Sequence, residues 1–181
     1  MVMSTASGSL CPLDPPPERT LIRRVFDVEP VEINAPIERV WAVLTDFAQY
    51  PEWNPLNRAV EADGEAKAGT GVVLSVSWGP YEQSGVPVEA RSLSVELTNR
   101  ETISIWEAPW CIAWADSIGA LHRAERVQCL VALPGGRTRY HTREVMEGLL
   151  SPLIAKIYGE RIFTGFRACG DALRRRVESL V

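Results

Sequence analysis

At 181 residues, with 46% hydrophobic and 23% charged positions, the chain has the size and apolar content of one globular domain. A formal net charge of −4, and no basic stripe with interleaved aromatics, argue against a nucleic-acid partner. No apolar run reaches the ~18–20 residues of a membrane helix, so no membrane insertion is expected.

The first 22 residues read as a disordered lead-in, with Ser4, Ser7, Gly8 and Ser9 followed by three consecutive prolines, Pro15 to Pro17. They lack the basic start and continuous apolar stretch of a secretory signal, and a cytoplasmic location is expected. The cysteines (Cys11, Cys111, Cys129, Cys169) show no C-x-x-C spacing and read as free thiols. His122 and His141 are too far apart for a local zinc motif, so neither a metal nor another cofactor is expected.

From Arg23 to Asn34 the alternation of Val and Ile with polar residues predicts one strand. Pro36 suits the first position of a helix, and Ile37, Val40, Trp41 and Leu44 follow at the spacing of a buried helical face. Asp46, with Gln49 three residues later, suggests the cap of a second short helix that Pro51 would close. The segment Tyr50-Pro51-Glu52-Trp53-Asn54-Pro55 then places two aromatics and two prolines on one rigid corner.

Beyond Leu56 the period changes to two. Val72, Leu74, Val76 and Trp78 alternate with small or polar residues, as do Val86 and Val88, and then Leu93, Val95 and Leu97. Ile103 and Ile105 follow, then Trp110, Ile112 and Trp114, and two strands over about 121–133 and 137–146. Gly-rich breaks separate several of these runs, which predicts an antiparallel meander. Ser151 as N-cap and Pro152 at N1 open a helix that runs to about Glu178. Arg174-Arg175-Arg176 sits at its end, where cations favour the helix dipole. Gly159, Gly165 and Gly170 inside it suggest close packing on the sheet rather than room for a ligand.

The stretches "INAPIERVWAVLTDFAQYPEWNP" and "GGRTRYHTREVMEGLLSPLI" resemble the START-like (SRPBCC) superfamily, which includes polyketide cyclases, coenzyme Q-binding proteins and lipid-transfer domains. The likeness spans about 25–177. It implies an α+β helix-grip fold: a curved antiparallel sheet of six to seven strands wrapped on a long C-terminal helix, with two short helices after the first strand. Residues 23–181 would form the ligand-binding domain, with a cavity between sheet and helix. Trp53 then reads either as a stiff wall or lid of that cavity or as a plug of the core.

Pairing the last two strands around Pro134-Gly135-Gly136 sets Arg126 opposite Glu144, Gln128 opposite Thr142 and Leu130 opposite Tyr140. His122 and Met146 share that face. The superfamily's pattern has a His and a Phe where this chain has Arg126 and Gln128. For Arg126 and Glu144 three readings stand: outward surface residues, a structural ion pair, or groups aimed at a polar part of a ligand. Trp110, Trp114 and Asp116 share a face of the preceding strand, Trp78 belongs to an earlier one, and Tyr158 and Arg161 are helix neighbours able to reach the same space.

The resemblance implies a small hydrophobic or polyketide-like ligand. With this polar set it points to a cofactor-free cyclase, aromatase or dehydratase of secondary metabolism. Asp116 or Glu144 would be the base, and Arg126, His122 or Tyr140 the oxyanion donor. The alternative is a non-catalytic carrier of a lipid, quinone or intermediate, and a ligand sensor is a third reading. No nucleophile motif is present.

Overall fold

The computed structural model describes residues 18–79 and 95–180. Cys11, Val86, Val88, Leu93 and most of the expected lead-in lie outside them.

The described chain begins with two short strands, β1 (Arg23–Asp27) and β2 (Val31–Ile33), where the alternation predicts one. Both pair antiparallel with β8 (Arg137–Glu147). Pro30 lies between them, and its missing N–H cannot join the ladder, so the single run divides. This division gives the sheet eight strands among the described residues, in the order β1-β8-β7-β6-β5-β4-β3, with β2 also on β8. The others are β3 (Asn57–Ala62), β4 (Gly71–Trp78), β5 (Val95–Glu107), β6 (Cys111–Ile118) and β7 (His122–Leu133).

Helix α1 (Ile37–Thr45) starts one residue after Pro36, which serves as its N-cap, and buries Ile37, Val40 and Leu44. Asp46 makes no side-chain cap. Pro51 does not close the next helix but lies in the first turn of α2 (Tyr50–Trp53), where the N–H it lacks would have no helical partner. The corner after α2 is held by Asn54, whose buried Oδ1 accepts the backbone N–H groups of Leu56 and Asn57 at 3.1 and 2.9 Å.

A bulge in β5 changes which side chains face inward. Ile103 pairs with Trp114, and the next pair is Ile105 with Ala113, leaving Ser104 as the extra residue. Ile103 is therefore fully buried in the main core, while Ile105 packs on the opposite face with Cys111, Ala113, Val127 and Cys129. Cys111 and Cys169 are free thiols, but Cys129 is held in a disulfide. Disulfides need proximity in space rather than a sequence motif, so spacing could not show this.

The closing helix α3 (Ser151–Glu178) has 28 residues, roughly 42 Å at ~1.5 Å per residue. Its N-cap is Leu150, and Ser151, expected as the cap, lies within the first turn. Added Cβ atoms on Gly159 and Gly170 would come within 3.2 Å of the Phe26 ring and 3.1 Å of Val31. These two glycines let the helix lie close on the sheet. The core runs between α3 and the sheet's inner face, with Ile33, Leu130, Tyr140, Ile162, Phe166 and Leu173 all nearly inaccessible. Each such side chain contributes about 1.5–3 kcal/mol of apolar burial. The sheet gripping one long helix is the helix-grip fold.

Candidate functional site

The space between sheet and α3 is filled at one end and hollow at the other. Toward the C-terminal half of α3, Gly170 brings the helix against Val31 and Tyr140, and Phe166 and Cys169 are buried. Toward its N-terminal half a cavity of about 230 Å³ opens. Its apolar walls include Leu74, Val76, Trp114, Met146, Ile162 and Phe166, and Trp78, Ile154 and Tyr158 also line it. The Trp78 and Tyr158 rings lie 6.5 Å apart.

Across this apolar space runs a polar belt. Four successive strands each send one charged side chain to the cavity: Glu101 from β5, Asp116 from β6, Arg126 from β7 and Glu144 from β8. Alternation puts them there. Trp114, Arg126 and Glu144 fall in one row of the register, and extending the Thr102–Ala115 pair by one residue sets Glu101 across from Asp116. The β7–β8 register is the one expected from the hairpin: Arg126 to Glu144, Gln128 to Thr142 and Leu130 to Tyr140.

Arg126 is 4% exposed, yet it forms no ion pair with Glu144 among the described residues. Its Nε donates to Thr142 Oγ1 at 3.1 Å, a terminal nitrogen donates to the Tyr140 hydroxyl at 3.5 Å, and its guanidinium carbon lies 4.0 Å over the Phe166 ring. Tyr140 in turn donates to Gln128 Oε1 at 2.8 Å. Thus Thr142, Tyr140 and Gln128 lie on the inner face, but beneath Arg126 and away from the cavity wall. They position the guanidinium.

Glu144 has no hydrogen-bond partner among the described residues and is 9% exposed. Burial pushes its carboxyl up to about 8; the charges of Glu101 and Asp116 add to the rise and Arg126 opposes it. Burial likewise lifts Glu101 to about 7, Asp116 adding to the rise while Arg126 and a hydrogen bond from Asn99 oppose it. Two carboxyls raised toward neutral pH thus line one apolar hollow. His122 also lines the cavity, its Nδ1 3.0 Å from the Ser151 hydroxyl, which ties the start of β7 to the start of α3.

Besides Gln128, Tyr140 and Thr142, three more expected ligand contacts lie off the cavity. Trp53 is not a wall of this cavity: it packs edge-on to Tyr50 at 5.0 Å and lines a small cleft with Ala168 and Ala172 of α3. Proline rigidity holds the corner against the helix, and Leu56 and Asn57, just beyond it, reach the cavity. Trp110 sits in the turn between β5 and β6, one residue before β6, and is 37% exposed. Arg161 donates to the Trp78 carbonyl at 3.3 Å and does not line the space.

The sequence pattern of the family described as polyketide cyclase/dehydrase and lipid transport matches residues 26–178. The chain belongs to that family. No curated protein matches it in sequence. Among solved structures, a norcoclaurine synthase point mutant from Thalictrum flavum, in complex with a transition-state analogue, is 14% identical. That match has a TM-score of 0.61 and covers 90% of this chain and 98% of the other. The Zhui aromatase/cyclase from Streptomyces sp. R1128 is 16% identical with a TM-score of 0.60, over 86% and 94% of the two chains. A START superfamily protein from Mycobacterium smegmatis is 18% identical with a TM-score of 0.58, over 88% and 99%. At these identities the likeness is one of fold; taken with the family match, it agrees with the START-like resemblance.

Within this polyketide cyclase/dehydrase family chain, sequence reasoning overlooks Glu101. The signal is there: Leu97, Asn99, Glu101 and Ile103 alternate in one strand, and Ile103 reads as apolar and strand-forming. Among the described residues no group of three or more His, Cys, Asp or Glu is arranged to hold a metal ion, and no helix is long and apolar enough to cross a membrane.

Proposed function

We propose that this family member takes a small hydrophobic molecule into the cavity and transforms it without a cofactor, as a cyclase, aromatase or dehydratase in biosynthesis. One observation carries the reading: a carboxyl raised to about 8 shares an apolar hollow with a buried guanidinium. Proton removal next to a carbonyl needs a base whose pKa lies near the working pH and a fixed positive donor for the oxygen that gains charge. Glu144 fits the base, with the Glu101 carboxyl lining the same cavity. Arg126 fits the donor, because it is always protonated and Thr142, Tyr140 and Phe166 hold it in place. Asp116 and His122 would complete the polar lining, and Trp114, Trp78, Met146 and Tyr158 would fold the apolar body into reactive contact. The aromatase/cyclase and synthase named among the structural neighbours agree with this chemistry.

The test uses 4-phenylbutan-2-one, whose α-protons exchange slowly in neutral D₂O, with exchange followed by NMR. The wild-type protein should accelerate exchange over buffer, and Glu144→Gln should remove about 100-fold of that acceleration. Tight binding with exchange at the buffer rate would leave a carrier instead. One feature favours that second reading: Ile118 (54% exposed), Leu121 (47%), Leu153 (56%) and Ile157 (59%) are exposed near the cavity. Such a rim suits transfer of a lipid, quinone or pathway intermediate.

A further inference from the structure

The ionisable groups of the cavity are unequal in number. Three carboxyl side chains, Glu101, Asp116 and Glu144, face it against one guanidinium. That guanidinium is occupied by Thr142, Tyr140 and the Phe166 ring and reaches no carboxylate among the described residues. Glu144 lines the space with nine-tenths of its surface buried and no hydrogen-bond partner among the described residues. A buried carboxylate without a partner is costly, so Glu144 keeps its proton near neutral pH, and a purely neutral apolar ligand would leave it protonated. A bare metal ion does not answer the need, since no metal-holding group exists among the described residues. An organic cation does. Its ammonium hydrogens would meet carboxyl groups on β5, β6 and β8, which become acceptor-only as the cation favours their ionised form, while its carbon frame packs on Trp114. Burial first, and neighbouring carboxylates second, hold protons on Glu101 and Glu144, and a cation among them would offset both.

We infer that the ligand is a hydrophobic amine: an apolar, ring-bearing body carrying a protonated amino group that seats among Glu101, Asp116 and Glu144. This rests on the cavity reading under Proposed function and narrows its substrate class. The Arg126 end is left for an oxygen of the same molecule, so the two ends of the belt would orient the ligand in one direction.

Isothermal titration at pH 8 with three probes of matched shape tests the inference: 2-phenylethylamine, 2-phenylethanol and 3-phenylpropionate. The amine should bind at least about tenfold tighter than the alcohol, with the carboxylate weakest. In the near-isosteric double variant Glu101→Gln/Glu144→Gln, shown by circular dichroism to be folded, the amine-to-alcohol ratio should fall to within about threefold. Equal binding of amine and alcohol by the wild type, or a preference that survives in the double variant, would overturn the amine assignment while leaving the cavity reading intact. If none of the three binds the wild type, the cavity reading and the amine assignment fall together.

Discussion

Arg126 and Glu144 are direct partners in the β7–β8 register, yet the Arg126 guanidinium stacks 4.0 Å over Phe166 and hydrogen-bonds Thr142 and Tyr140. Had the two paired, the arginine would have held Glu144 in the ordinary carboxylate range, and the belt would serve only to fasten a hairpin. Their separation leaves an acid raised by burial and a fixed cation on the same cavity.

Arg126→Met separates a chemical role from a structural one. The buried cation has no carboxylate partner to strand, so the variant should fold, with a melting temperature within roughly 4 °C of wild type. Exchange of the 4-phenylbutan-2-one α-protons should fall about 100-fold or more. Unchanged exchange would reduce Arg126 to a packing residue.

Glu144→Gln makes a prediction about pH. The folded-state pKa of Glu144 lies above its unfolded value, at about 8 against about 4.5. At pH 4 both states are protonated and nothing is lost. As pH rises through 4.5 the unfolded chain ionises first, so the native state loses stability relative to it until the folded carboxyl also ionises near 8. The glutamine variant escapes this loss. Its melting temperature should match wild type at pH 4 and exceed it by at least ~3 °C at pH 8.

Much of this arrangement is legible in the sequence, and the failures have physical causes. The tight Gly-Gly turn and long alternating strands dictate the β7–β8 pairing, so the residue order by itself places Arg126 opposite Glu144. Direction within the inner face is not legible. Gln128 and Tyr140 alternate correctly but fall under Gly170 of α3, where a helix without a side chain closes the gap. Ile105 faces away from the side its alternation suggests because nothing in its neighbours announces the bulge at Ser104. For Trp53 the sequence leaves wall and plug equally open, because the prolines around it explain a rigid corner wherever that corner packs; it packs against the core.

On the sheet edge, Asp27 bridges Arg143 at 2.8 Å and His141 at 2.7 Å. Burial alone would raise the Asp27 carboxyl, but these two hydrogen bonds carry it below its ordinary range. The Arg143 side chain is only 3% exposed. Asp27→Asn removes its counter-charge and should cost about 2 kcal/mol in a urea titration at pH 7, the partner's exposure keeping it below a fully buried pair. The difference should shrink as pH falls through the lowered Asp27 pKa, where wild type loses the same charge.

Gly148 joins β8 to α3 with φ of +113°, and an added Cβ would stand 2.3 Å from the Leu121 carbonyl oxygen. No side chain tolerates both constraints. Gly148→Ala should destabilise the chain by at least ~2 kcal/mol and loosen the nearby His122–Ser151 contact, read as a lowered urea midpoint and faster exchange of the amides around 121–123.

The most direct measurement is a carboxyl ¹³C NMR titration of Glu144, assigned by loss of its signal in Glu144→Gln and run with and without saturating 4-phenylbutan-2-one. The expected midpoint lies near 8 in the free protein and moves when the ketone is bound. A Glu144 carboxyl that titrates near the ordinary 4.5 and does not respond to the ketone would contradict a buried acid facing a ligand cavity.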